Sequence, residues 1–308
     1  MRHLLIDTDT ASDDAVALVM ALTYPGVKTE AITVVAGNVP VEQGVQNALY
    51  TSDMCGVDVN IYQGAAAPIL RPLQTAQFIH GQDGMGDIGL DLYGRQPKKG
   101  NAIDVIIDTI FAHPGKLELV TLGPLTNIAI AILKEPSMVT KVKQCTIMGG
   151  VGKGHGNITP VSEYNIWADP EAASIVFSSG MPITMVGWDI SREYSIIDKE
   201  TRLLIRALDS PLAHFSIDIQ ETLHTFATEN SGLPGYDLPD AIAMAIALDA
   251  SVITVKANRK VEVITDNGIT RGQTVIHHIN SLHYGNAIDI VLTASRDKFL
   301  NLLFQSLI

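Results

Sequence analysis

Cysteine is nearly absent from this 308-residue sequence, which has only Cys55 and Cys145. They lie far apart without metal-ligand spacing, so a disulfide framework and a thiolate metal site are excluded, and both are expected to be reduced core thiols. Positive charge is also scarce. The 21 Lys and Arg face 33 Asp and Glu, a formal net charge of -12. Such a chain repels polyphosphate and anionic lipid, so neither a nucleic-acid polymer nor a membrane is an expected partner. Apolar stretches such as Ala241 to Leu248 fall far short of the ~20 residues that span a bilayer. No secretory pattern of basic, apolar and small residues opens the chain, so the cytoplasm is the expected compartment. No Pro/Gly/Ser-rich linker or internal repeat divides the sequence, which reads as one domain over residues 1–308.

What is present is material for a large core, with 46% hydrophobic and 18% charged residues. Short apolar, β-branched runs cover Leu4 to Asp7, Ala31 to Val35, Val59 to Tyr62, Leu117 to Leu122, Cys145 to Met148 and Ile183 to Val186. Segments of helical period lie between them: Asp13 to Thr23, Val41 to Met54, Ala102 to Phe111, Leu125 to Leu133, Pro170 to Ser178 and Lys199 to Leu208. This alternation predicts an α/β fold with a mostly parallel, Rossmann-like central sheet flanked by helices. Lys260 to Ile264 and Thr274 to His278 enclose Asp266-Asn267-Gly268, which predicts a C-terminal β-hairpin on that sheet. The glycine-rich stretch Gly81 to Gly89 reads as a mobile loop over the strand ends.

Ligands of parallel sheets bind beyond the carboxyl ends of the strands. There the sequence places Asp7, Asp9, Asp13 and Asp14, with no Lys or Arg between Arg2 and Lys28. Four carboxylates so close repel one another. A hard cation, protonation or distant basic groups would relieve them. Ser12 or Asp13 can cap the following helix, but capping needs one such group. An EF-hand loop is excluded, because its sixth and twelfth places from Asp7 would be Ser12 and Leu18. A Mg²⁺ phosphohydrolase with an aspartyl nucleophile stays open. Gly152-Lys153 is followed by Gly154, so the glycine-rich stretch from Gly149 to Gly156 is no P-loop and reads as backbone approaching a ligand closely.

Asp7-Thr8-Asp9 with Asp13-Asp14-Ala15-Val16-Ala17-Leu18 resembles the signature of the inosine-uridine-type nucleoside hydrolases. The resemblance continues in order through Val34 to Asn38, Ile79-His80-Gly81, Gly84 to Gly86, Gly123 to Asn127, Ile147 to Gly150, Glu163 to Asn165, Asp169 to Ala173 and Asp240. It implies a calcium ion held by Asp9, Asp14, Asp240 and the main-chain carbonyl of Leu122. It further implies that Asp9 takes a proton from the attacking water, that Asp13, Asn38, Asn157, Glu163 and Asn165 grip the ribose over Met148, and that Asp7 supports from behind. The activity implied is cleavage of ribonucleosides to free ribose and nucleobase, with inversion. Homodimers or homotetramers are usual in that family.

One departure concerns the nucleobase. Where the best-known members carry His before the last metal-binding Asp, and others Trp, this chain has Pro239. Proline donates no proton. His80, His224 and His155 are therefore the candidates to assist the leaving base, with His80 best placed by its setting, and Trp188 and Phe226 are candidates to stack on it. A non-catalytic nucleoside-binding protein, with Pro239 marking a lost acid, is the third reading.

Overall fold

In the computed structural model, which describes residues 1–230, 232–277 and 286–308, the alternation forms a nine-stranded sheet. Its strands are β1 (Arg2–Thr8), β2 (Val27–Val34), β3 (Ile61–Gln63), β4 (Leu117–Thr121), β5 (Gln144–Met148) and β6 (Ile183–Val186), followed later by three more. A separate antiparallel pair, β7 (Ile197–Asp198) with β8 (Gly235–Tyr236), lies outside it. The main sheet then takes β9 (Ile253–Val263), β10 (Thr274–Ile276) and β11 (Ala287–Ala294), in the order β10-β9-β11-β6-β5-β4-β1-β2-β3. From β3 to β11 every neighbouring pair is parallel, while β9 runs antiparallel to both β11 and β10.

The six predicted strands and six predicted helices are all present. The C-terminal hairpin is also present as β9 and β10, with Thr274 opposite Val263; His278 lies outside the described residues. Two features differ from expectation. β9 begins at Ile253, well before Lys260, and β11 inserts between it and β6. Most of β9 is partly or fully exposed, so its sequence carries little of the apolar signal that marks a buried parallel strand.

Side chains alternate across the sheet, so Leu4 and Ile6 enter one core layer and Leu5 the other. The first layer is built on the helices Ser12–Thr23 and Pro239–Leu248, which pack together. Asp240 to Leu248 are all buried, as expected for a helix apolar on every side. Arg2 anchors the far end of this helix: Nη1 donates to the Leu248 carbonyl at 2.6 Å and Nε to Glu118 Oε1 at 3.0 Å. Both cysteines are free, Cys145 buried and Cys55 half-buried. No helix among the described residues is long and apolar enough to cross a membrane.

The chain leaves β1 toward β2 and β3, then returns to place β4 on the other side of β1. That reversal opens a crevice at the carboxyl ends of β1 and β4. The loop from Gly81 to Gly89 is pinned rather than free. Met85 is fully buried, Asn47 Nδ2 donates to the Asp83 carbonyl at 2.9 Å, and the Gly86 amide donates to the His80 carbonyl at 2.9 Å. A Cβ on Gly86 would lie 2.6 Å from the Ile219 carbonyl oxygen, and its φ is +81°, so this close approach requires glycine.

Candidate active site

The segment following β1 is buried throughout, with Asp7, Asp9 and Asp14 wholly inaccessible. Each carboxylate has a distinct setting. Asp7 Oδ1 accepts from Thr33 Oγ1 at 2.5 Å and Asn127 Nδ2 at 2.8 Å, so it faces back into the fold. Asp9 Oδ2 accepts from the Asn38 amide at 2.6 Å, whereas its Oδ1 has no partner. Asp14 accepts from Thr8 Oγ1 at 2.5 Å and from the Ala11 amide at 3.0 Å. Ala11 therefore precedes the helix as its cap residue, and neither Ser12 nor Asp13 caps it; Asp14 reaches back to satisfy the free amide. Ser12 Oγ instead meets His80 Nδ1 at 3.0 Å.

Glycine makes room for Asp9. A Cβ on Gly37 would stand 2.1 Å from Asp9 Oδ2, and one on Gly123 would stand 2.6 Å from Asp9 Oδ1. Both glycines belong to motifs visible in the sequence, but the cradle exists only in the fold. Their signal was the pairing of glycine with the strand ends.

Asp240, in the first turn of the helix Pro239–Leu248, arrives from across the fold. Oxygens of Asp13, Asp14 and Asp240 lie within 4.8 Å of one another, and Asp240 Oδ1, like Asp9 Oδ1 and Asp7 Oδ2, is a buried oxygen without a partner. The convergent trio thus contains Asp13, expected on the ribose, with Asp9 adjoining it. Burial, reinforced by the neighbouring carboxylates, pushes Asp9 and Asp240 well above the carboxylate range and Asp14 up to about 7. Burial likewise raises Asp7 to about 7 and Asp13 to about 6. No Lys or Arg pairs with any of these groups among the described residues. The electrostatic conflict expected from the sequence is therefore present in three dimensions.

The carboxylates adjoin an open cleft with a cavity volume of about 150 Å³. Asp13, Asn38, His80, Leu122, Met148, Asn157, Glu163, Asn165, Trp188 and Asp240 all line it. Asn165 Nδ2 donates to the Leu122 carbonyl at 2.6 Å and the Met148 carbonyl at 3.3 Å, tying together the ends of β4 and β5. Glu163 caps the short helix Tyr164–Ala168: Oε1 accepts from the Asn165 amide at 2.7 Å, and Oε2 from the Gly150 amide at 2.9 Å. Burial nevertheless raises Glu163 to about 7. Asn157 Oδ1 accepts from the Tyr164 amide at 2.8 Å. Glycines of the loop from Gly149 to Gly156 serve close contacts within the protein, as Cβ atoms would stand 2.0 Å from the Ser162 carbonyl at Gly156 and 2.7 Å from Thr274 at Gly150.

Two expected residues are elsewhere. His224 does not line the cleft; it packs edge-on against Tyr236 at 5.9 Å, because its helix turns Leu223, Phe226 and Ala227 inward instead. His155 meets the edge of Trp188 from an adjoining exposed cleft. His80 does line the cleft, but burial lowers its pKa to about 4, so the ring is neutral near pH 7. Pro239 also lines it, at the first turn of its helix, where a missing amide proton is tolerated. The wall that sequence reading missed comprises Phe78, Ile79, Ile158, Leu233, Arg192 and Asp237. Phe78 and Phe226 meet edge to face at 6.0 Å.

Buried carboxylates and amides on one wall of a switch-point cleft, and aromatic groups on the other, are the features of an α/β enzyme for a small molecule with a polar and an aromatic part. The chain belongs to the inosine-uridine preferring nucleoside hydrolase family, whose model matches residues 4–301. It is therefore a hydrolase of N-glycosyl bonds, in a metal-dependent family that acts on nucleosides. The pyrimidine-specific ribonucleoside hydrolase RihB of Escherichia coli (strain SE11) is 32% identical over 302 residues, covering 98% of this chain and 96% of the relative. Among solved structures, a plant nucleoside hydrolase superposes with a TM-score of 0.94 at 31% identity, covering 99% of this chain and 98% of that one. A purine-preferring ribonucleoside hydrolase from Gardnerella vaginalis gives 0.92 at 30% identity, with the same coverage.

Proposed function

We propose that this enzyme releases free ribose from ribonucleosides with a calcium ion held by Asp9, Asp14, Asp240 and the Leu122 carbonyl. The observation carrying this reading is a buried carboxylate cluster in which oxygens of Asp14 and Asp240 converge, Asp9 lies close enough to repel Asp14, and Asp9 Oδ1 and Asp240 Oδ1 have no hydrogen-bonding partner. An all-oxygen set of this kind suits a hard cation, and calcium tolerates an irregular one better than magnesium. When bound, the cation supplies positive charge that offsets the carboxylate repulsion and acidifies an adjacent water.

Asp9 is the base. Its Oδ2 is fixed by the Asn38 amide and its Oδ1 is free to accept a proton. Asp13, Asn38, Asn157, Glu163 and Asn165 hold the ribose, with Met148 beneath it and Asp7 orienting the segment from behind. Their negative and amide oxygens favour the positive charge that develops on the sugar as the glycosidic bond breaks. Attack opposite the departing base inverts the anomeric centre. His80, hydrogen-bonded to Ser12 and neutral, lines the site and donates or accepts a hydrogen bond there rather than acting as a strong acid. Trp188 and Phe226 form the aromatic side.

The phosphohydrolase alternative predicts phosphate release from small esters, which is not this family's bond. The test is reducing-sugar release from inosine, adenosine, guanosine, uridine and cytidine, with calcium and after chelation. Release from at least one that disappears on chelation and returns with calcium supports the proposal. Undiminished release after complete chelation refutes the metal assignment.

A further inference from the structure

One cation in the cleft has no hydrogen-bonding partner. Of the nine arginines in the sequence, eight donate a hydrogen bond to a carboxylate, hydroxyl or carbonyl oxygen, and Arg192 donates none among the described residues. It is half-buried, lines the cleft, and holds its guanidinium carbon 5.0 Å over the ring of Trp188. Asp237, on the same wall, feels the charge of Arg192 but accepts its hydrogen bond from Ser191 Oγ at 2.5 Å and forms no ion pair with Arg192 among the described residues. Among the described residues, no Lys or second Arg lines the cleft.

The surrounding charge makes this position consequential. Asp13, Glu163, Asp237 and Asp240 all line the same cleft. Carboxylates favour the positive charge growing on the sugar, but they oppose the negative charge growing on the departing base. Pro239, which lines the cleft beside Asp240, has no proton to offer. We infer that Arg192 is a catalytic residue that donates guanidinium N–H groups to a ring nitrogen or carbonyl oxygen of the leaving nucleobase. This inference rests on the proposed ribose and nucleobase ends of the cleft.

The step balances without proton transfer from Arg192. The bond between the anomeric carbon and the base nitrogen breaks, and its electron pair goes to the base. A bond to the water oxygen forms, and one water proton passes to Asp9. The base anion is stabilised by the guanidinium and takes its proton from solvent. Arginine suits this role because it stays charged, and its planar fork presents paired donors while stacked on Trp188.

The test compares a natural nucleoside with p-nitrophenyl β-D-ribofuranoside, whose phenolate leaves without stabilisation by a donor to a nucleobase. Arg192→Ala should lower kcat/KM on the best natural nucleoside by about 10²–10³-fold, as for loss of one transition-state donor, and affect the nitrophenyl riboside far less. Arg192→Lys should fall between, and added guanidinium ion should partly rescue Arg192→Ala on the nucleoside alone. An unchanged melting temperature would show that the variant is folded. Equal losses on both substrates, or no loss on the nucleoside, overturn the role of Arg192 alone. A wild-type enzyme cleaving neither compound overturns the ribosyl reading and this proposal with it.

Discussion

Asp9 sits between Gly37 and Gly123, where a Cβ on either glycine would collide with its carboxylate, with one oxygen bound and one free. Asp9→Asn keeps the acceptor for the Asn38 amide and removes only the charge and basicity. Turnover should fall by at least about 10²-fold, while the melting temperature measured without metal holds or rises because a buried charge is gone. Wild-type turnover in this variant would remove Asp9 as base. At this scale the acidic segment was legible because four of its members fall within eight residues of sequence. Asp240 was reachable only through family resemblance. Arg192 and Asp237 were not legible at all: 45 positions apart by number, they share a wall only after the helix Trp188–Tyr194 and the strand β8 are brought together.

Secondary elements supply the frame for these residues, and one contact between elements sets the shape of the aromatic side. Gly86 presses on the Ile219 carbonyl, immediately before the helix Glu221–Asn230 that delivers Leu223 and Phe226. Gly86→Ala adds a clash at positive φ and should cost about 1–3 kcal/mol. It should also raise KM for nucleosides more than it lowers kcat, because the displaced helix bears on the base rather than the carboxylates. Denaturant unfolding and steady-state kinetics check both parts; a variant with wild-type stability and KM would refute the role of this contact. The buried strands and their helices were readable because apolar period and turn residues agree there. The helices Pro211–Asp218, Glu221–Asn230 and Arg296–Ser306 were missed, as was β11. Their polar faces dilute the period, and only packing against the finished sheet selects them.

For the molecule as a whole, two linkages connect stability to solution conditions. Calcium that binds the folded carboxylate cluster should raise the melting temperature, equivalent to about 2.7 kcal/mol at a hundredfold excess over Kd. Scanning calorimetry with calcium and with chelator would measure it, and coincident curves would show that no cation is held. The second linkage lies at the opposite sheet end. Burial pushes the Glu118 carboxyl upward, but hydrogen bonds from Arg2 and Lys143 prevail and hold it below its usual value of 4.5. Its stabilisation is therefore complete above that value and is lost as pH falls through the lowered one. Glu118→Gln should lose about 1 kcal/mol at pH 7, allowing for the partly exposed Arg2. The gap from wild type should narrow in melts below pH 4.5; a constant gap would contradict the linkage.

The cleft's two walls descend from different parts of the architecture. The carboxylates stand at the end of β1 and on two helices of the central core, whereas Phe78, Trp188, Arg192 and Phe226 stand on other helices around it. Inherited variation is tolerated unequally by such parts. Under the proposed assignment, a lineage can exchange aromatic and basic residues on the rim, and so acquire a taste for a different nucleobase, while the bond-breaking apparatus passes on unaltered.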